Sequence, residues 1–324
     1  MIIVTGGAGF IGSAIIWKLN ERGISDILVV DHLGTSEKWK NLVNLRFNDY
    51  MDRDLFLKKL EAGDFDNTID VIIHMGACSA TTEKNADYLM ENNFHYTVRL
   101  AQWAVSKKCR FIYASSAATY GSGESGYSDS HEKMESLKPL NMYGYSKHLF
   151  DKYAFRMGWL DRIVGLKFFN VFGPNEYHKG DMSSIVCKSY RLIRDEGRIS
   201  LFKSHQDKYC NGGQVRDFIY VKDVVEMVLY FFDNRDIGGI YNIGTGLGHT
   251  WNELAHAMFS ACRKEANINY IDMPENLREK YQYFTKAEMD KLGNSGCLHV
   301  CQTLENAVED YVNNYLKYDR YLGE

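Results

Sequence analysis

Proline is scarce, with three in 324 residues, so the chain holds no stiff linker and no proline-rich recognition tract. No apolar run approaches the ~20 residues of a membrane-spanning helix. Charge of neither sign prevails: 38 Lys and Arg stand against 42 Asp and Glu, a net charge of −4. A broad basic face for nucleic acid or an anionic membrane is thereby excluded, and an anionic small molecule would have to be met by a few local cations. Tandem repeats and low-complexity tracts are absent. Cysteine is sparse and odd in number, seven in all. Only Cys297 and Cys301 come close, with His299 between them, and a zinc site would need a fourth ligand that no sequence neighbour supplies. The expectation is therefore no metal and buried or idle thiols. Because the first residue all but enters an apolar strand, with no room for a leader, a cytoplasmic protein is expected.

What is present is apolar material, 45% of the chain, enough for one large α/β unit or two lobes. Strand-like runs at 2–6, 26–31, 42–49, 70–77, 110–116 and 163–173 alternate with helical patterns. Such alternation predicts an α/β fold, a Rossmann-type doubly wound parallel sheet whose strands are apolar nearly throughout. After Pro174 polar loops take over, around a helical stretch at 184–197. Strand and helix return at 215–234, and GIYNIG follows. The expected division is a dinucleotide domain over 1–170, rejoined at about 217–246, with a smaller C-terminal α/β substrate lobe made of 171–216 and 247–324.

In MIIVTGGAGFIGSAIIWKLNERG, Gly6, Gly9 and Gly12 stand three apart between strand and helix. The first suits a tight turn, the second lets a pyrophosphate approach the backbone, and the third lets helix and strand pack closely. The amides opening the helix then face the phosphates. Some twenty residues on, DILVVD ends in Asp31, placed to accept hydrogen bonds from the adenosine ribose of a dinucleotide. A carboxylate there favours NAD, whereas Lys38 and Arg53 shortly beyond could pair with the 2′-phosphate of NADP. Residue by residue, the two cofactors are evenly matched.

Tyr143 and Lys147 in NMYGYSKH are four apart and so share one helix face. For tyrosine to act as a base near neutrality its pKa must fall about three units, ~4 kcal/mol. An ammonium at ~5 Å supplies roughly 3 kcal/mol at an effective dielectric of 20. Ahead of this pair the run RFIYASS ends in Ser115 and Ser116, at the carboxyl end of a strand and so beside the cofactor. Tyr145 forms no such pair with a lysine.

The set TGGAGFIG, Asp31, YASSAATYG, YGYSK and NVFGP resembles the extended short-chain dehydrogenase/reductase superfamily. More narrowly, GACSATTE, Asn92 with Asn93, PLNMYGYSK, HKGDM and VRDFIYVKDV resemble the ADP-L-glycero-D-manno-heptose 6-epimerase family, from end to end of the chain. That resemblance implies an isomerase that inverts C6 of ADP-D-glycero-D-manno-heptose for the inner core of lipopolysaccharide. The inversion would pass through a 6-keto sugar, with tightly held NADP and hydride returned to the opposite face. Ser116, Tyr143 and Lys147 would form the catalytic trio. Lys179 would be a second acid/base, serving an oxygen that has swung beyond the reach of Tyr143. Phe10, Ile11, Asp31, His32, Lys38 and Arg53 would hold the cofactor together with the glycines, as would Asn92, Val171 and the stretch Met75, Gly76, Ala77, Cys78 and Ser79.

Substrate contacts implied are Ser116, Asn170, Phe202, Lys203, Ser204, His205, Arg216 and Tyr281. Asp181 and Lys188 stand where the family shows serine and histidine, and Asn175 where it shows arginine. These departures bear on the sugar rather than on the oxidation. Arg216 also suits an ADP pyrophosphate on chemical grounds, against a salt bridge with Asp217 as the alternative. A homopentamer and a permanently bound dinucleotide are further implications. Among rivals, a 4,6-dehydratase would need an acid pair where Ala117 and Ala118 stand. A UDP-hexose 4-epimerase would share the trio without a counterpart of Lys179, and a non-catalytic redox sensor would need no trio.

Overall fold

A computed structural model describes residues 1–278 and 281–324. Six strands come first: β1 (Ile2–Thr5), β2 (Ile27–Asp31), β3 (Asp49–Asp52), β4 (Val71–His74), β5 (Arg110–Ser116) and β6 (Ile163–Phe168). Between them lie α1 (Phe10–Glu21), α2 (Arg53–Ala62), α3 (Ala86–Leu89), α4 (Tyr96–Lys107) and α5 (Met142–Arg156). The chain then leaves the sheet through β7 (Asn170–Phe172), α6 (Ile185–Glu196), β8 (Ile199–Phe202), β9 (Val215–Arg216), β10 (Phe218–Tyr220) and α7 (Val221–Asp233). It re-enters as β11 (Gly239–Ile243), and β12 (His249–Thr250), α8 (Trp251–Ala261) and β13 (Ile268–Ile271) follow.

The main sheet runs β3-β2-β1-β4-β5-β6-β11, every pair parallel. All its strands but the edge strand β3 are buried on both faces, and the period-2 alternation decides which helix each residue meets. Ile2 and Val4 share one cluster with α1 and α7, while Ile3, Leu28 and Val30 share the other with α2, α4 and α5. Each large side chain so buried contributes about 1.5–3 kcal/mol. Capping sets where the helices start. The Asn141 side chain accepts from Gly144 N–H to open α5, Ser184 does the same for α6, and Thr250 with Glu253 forms a reciprocal box on α8.

Two strand expectations give way. Residues 42–49 do not form a strand; a 3₁₀ turn ends at Leu42, and the edge strand starts only at Asp49. Arg46 is instead held by α1, its N–H donating to the Asn20 side chain (2.7 Å) and its carbonyl accepting from the same amide (2.8 Å). The run 163–173 is two strands, since β6 stays in the main sheet while β7 pairs with β10. The break falls at Phe169, whose N–H still donates to Ile243. Away from the main sheet, β8 pairs with β13 and β9 with β12. Among the described residues no helix is long and apolar enough to cross a membrane.

Candidate active site

In an open parallel sheet the crevice forms beyond the carboxyl ends of the strands where their order reverses, here between β1 and β4. A cavity of about 970 Å³ lies there. Its walls come from the glycine loop, Met75 to Thr81, the end of β5, the first turn of α5, the segment after β7 and the start of α6. A smaller recess of about 120 Å³ adjoins it, bounded by Asp31, His32, Lys38, Arg53 and Asn92.

The glycine loop is shaped to lie close to a ligand. Gly6 has φ +66°, and a Cβ there would collide with the Gly76 backbone; a Cβ on Gly12 would run into the Gly6 carbonyl. The third glycine thus clears the loop itself rather than the strand. Gly9 caps α1 without a side chain, leaving the first amides of the helix to an anion. Asp31 braces the loop: Oδ2 accepts from Ala8 N–H (2.9 Å), and Oδ1 accepts from His32 N–H (2.7 Å) and Lys38 Nζ (2.6 Å). Arg53 donates to the Asn92 side chain. Asn93 clamps the backbone of Cys78 through both its N–H (2.8 Å) and its carbonyl (3.0 Å), which holds the Met75 to Ser79 stretch against the cavity. A cradle that any Cβ would fill, helix amides and a carboxylate at the next strand end together fit a dinucleotide.

Ser116 ends β5, and its Oγ accepts from Ala118 N–H (3.1 Å). The neighbouring Ser115 hydroxyl is committed elsewhere, donating to Asp151 (2.7 Å) in a buried network with Tyr113 and Lys167. Tyr143 and Lys147 both line the cavity from one face of α5. Lys147 Nζ donates to the Ala114 carbonyl (2.7 Å). Burial pulls its pKa down to about 8, against the raising field of Asp151. Burial also raises the Tyr143 phenol, and the Ser116 hydroxyl opposes that rise. Burial thus works against the lowered phenol that the Tyr-Lys spacing suggests.

Lys179 lies on a 3₁₀ stretch, Tyr177–Met182, that is kinked at Gly180. Its Nζ sits 5.3 Å from the Phe10 ring centroid, at the start of α1. Burial lowers its pKa, and the nearby Glu176 carboxylate raises it. Glu176 is itself buried and held by Gly173 and Ser184. Among the described residues Lys179 makes no salt bridge, so its ammonium faces the cavity unpaired.

Residues 2–244 match the NAD dependent epimerase/dehydratase family. The ADP-L-glycero-D-manno-heptose-6-epimerase of Nitratidesulfovibrio vulgaris strain DP4 is 58% identical over 316 residues, 98% of each chain. The enzyme of that name from Fusobacterium nucleatum is 48% identical, over 99% of this chain and all of its own. The chain belongs to the ADP-L-glycero-D-manno-heptose-6-epimerase family. Its members are isomerases that work through a nicotinamide dinucleotide. The crystal structure of the Helicobacter pylori ADP-L-glycero-D-manno-heptose-6-epimerase superposes with a TM-score of 0.82 at 27% identity, over 97% of this chain and 95% of that one.

Against the family's substrate set, the cavity wall takes in Ser116, Asn170, Lys188, Phe202 and Tyr281. Asp181, Lys203, Ser204, His205 and Arg216 lie off it. Lys203 pairs with Asp272 (3.3 Å), Ser204 turns its hydroxyl to the Gln206 carbonyl (2.8 Å), and the side chains of His205 and Asp181 are exposed. Arg216 is 7% exposed behind Trp251 and Tyr281, its guanidinium 5.7 and 5.1 Å from their ring centroids. The Asp217 alternative fails. That carboxylate is saturated by the amides of Thr245, Gly246 and Ala287 and by the Thr245 hydroxyl, while Arg216 donates to the Val215 carbonyl (2.8 Å). Asn175 is fully buried with φ +76°, bonded to Ser13 and to Leu322 N–H, and does not line the cavity. Trp251 and His178, both on the wall, carried no sequence signal of their own.

Proposed function

We propose that the chain inverts C6 of the heptose in ADP-D-glycero-D-manno-heptose, giving the L-glycero epimer, with NADP as resident dinucleotide. The observation that carries the reading is the approach of two proton-transfer groups to one cavity from opposite faces of the sheet. Tyr143 comes from α5, which packs with α2 and α4, and Lys179 comes from beside Phe10, which packs with α1 and α7. A nicotinamide dinucleotide held by the glycine loop, Asp31 and Lys147 would supply the acceptor for the C6 hydride and its return. Tyr143 Oη exchanges the hydroxyl proton on one side of the planar ketone and Lys179 Nζ on the other, so neither has to follow the oxygen. Ser116 hydrogen-bonds that oxygen, Lys147 orients the cofactor and supports the phenolate electrostatically, and Arg216 with Lys188 meets the ADP phosphates.

Lys38 and Arg53 flank the small recess beside Asp31, and the 2.6 Å pairing of Lys38 with Asp31 offsets the charge that would repel a 2′-phosphate. That favours NADP over NAD. Segments 171–216 and 247–324 form the lobe that takes the substrate, and the assembly is a cytoplasmic homopentamer. Proton NMR of the protein with ADP-D-glycero-D-manno-heptose tests the reaction: the C6 epimer should accumulate. Turnover of UDP-glucose with no change in the heptose would identify a UDP-hexose 4-epimerase instead. Nucleotide released on denaturing freshly purified protein should be NADP, and Lys38→Ala with Arg53→Ala should cut NADP retention more than NAD retention.

A further inference from the structure

Away from the cavity, the fold gathers three side chains of different ligand chemistry. Asp223, in the first turn of α7, meets His299 and Cys301 from the segment that follows more than seventy residues later. One ligating atom from each lies within 4.8 Å of the other two. Asp223 is 3% exposed; Oδ1 pairs with His299 Nε2 (2.9 Å), and Oδ2 accepts from Gln302 N–H (3.2 Å). Exposure alternates along the segment that carries His299 and Cys301. Leu298 and Val300 are 87% and 86% exposed, while Cys297, His299 and Cys301 turn inward. None of the three ligands lines the cavity.

We propose that Asp223, His299 and Cys301 form a binding site for a zinc-class divalent cation. A carboxylate oxygen, an imidazole nitrogen and a thiolate sulfur are the donors of tetrahedral Zn²⁺, whereas Mg²⁺ and Ca²⁺ call for oxygen alone. The fourth position falls to water, because Cys297 lies outside the group. Binding replaces the His299–Asp223 hydrogen bond by two metal bonds. The imidazole then carries its proton on Nδ1, and the Cys301 thiol releases one proton to solvent. Sequence reasoning missed the site because its third ligand, Asp223, is supplied by a remote helix. The cation would tie that segment to α7, a structural role separate from the chemistry proposed in the cavity.

The full-length protein, chelator-treated and kept reduced, is titrated with Co²⁺. One equivalent should give tetrahedral visible bands and a near-ultraviolet thiolate-to-cobalt band, both displaced by Zn²⁺. Cys301→Ser should lose the thiolate band, and Cys297→Ser should keep it. His299→Ala alters a side chain that is 24% exposed and serves if Cys301→Ser does not fold; it should weaken Zn²⁺ binding more than about tenfold. No cobalt band in the parent protein, a band that survives Cys301→Ser, or unchanged Zn²⁺ affinity in His299→Ala would each overturn the proposal and leave Asp223 and His299 as a hydrogen-bonded pair only.

Discussion

At the scale of single residues, the site depends on which polar groups are already committed and which are left free. Ser115 is bound to Asp151 and Lys38 to Asp31, whereas among the described residues the Lys179 ammonium meets only the Phe10 ring and the Arg216 guanidinium only two rings and a carbonyl. Groups left free in this way are the ones that substrate can claim. Tyr143→Phe and Lys179→Met should each lower kcat at least about 100-fold, the usual scale of a lost general acid or base. The NMR assay reads this directly, and a Lys179→Met enzyme with near-normal kcat would rule out the two-sided scheme. Lys188 is exposed at the cavity rim and, among the described residues, bonded only to the Asp181 carbonyl (3.1 Å), so Lys188→Ala should raise KM and leave kcat nearly unchanged. Arg216→Gln should also act through KM, because the Trp251 and Tyr281 rings hold the side chain in place and no described carboxylate pairs with it.

At the scale of elements, the loop that carries Lys179 is secured from outside the cavity. Asn175 donates to Ser13 of α1 (2.9 Å) and accepts from Leu322 N–H (2.9 Å), and its carbonyl accepts from Asn41 (3.0 Å). Two residues on, Tyr177 donates to the Arg320 carbonyl (2.7 Å) and meets Tyr321 edge-on. The C-terminal residues thus brace the Tyr177–Met182 stretch against α1. Asn175→Ala leaves the buried Leu322 N–H without its acceptor, removes the bond to Ser13 and puts alanine at positive φ, so it should cost about 2 kcal/mol. Urea denaturation should register that loss. A drop in kcat measured well below the denaturation midpoint would show that the brace positions Lys179 as well as stabilising the chain.

At the scale of the whole molecule, acid lability follows from histidines that the fold keeps neutral. Burial pushes His74 down to about 3, His131 to about 4 and His178 to about 4. His74 is 1% exposed between Thr5 (2.5 Å) and Thr97 (2.9 Å). Each folded pKa lies below its unfolded value near 6.5, so between the two the unfolded chain holds more protons. The contribution is complete above about pH 6.5 and lost as pH falls toward 4, with a slope up to about 1.4 kcal/mol per pH unit for each group. Urea unfolding at stepped pH should show that loss. His74→Gln should make it shallower by about one proton, and an unchanged slope would place the lability elsewhere.

Locally encoded features were legible without the fold. Glycine spacing, the acid ending β2, the Tyr-Lys helix face and the apolar strands each depend on neighbours a few residues away, and backbone sterics and periodicity decide them. The strand expected at 42–49 failed because a side chain on α1, Asn20, took the backbone bonds that a ladder would have used. Tertiary structure alone decided that Asp217 is spent on amides rather than on Arg216, that Asn175 is buried, and that Asp223 meets His299 and Cys301. The reason is the same in each case. A polar group's role depends on its partners, and here the partners come together only when distant segments pack.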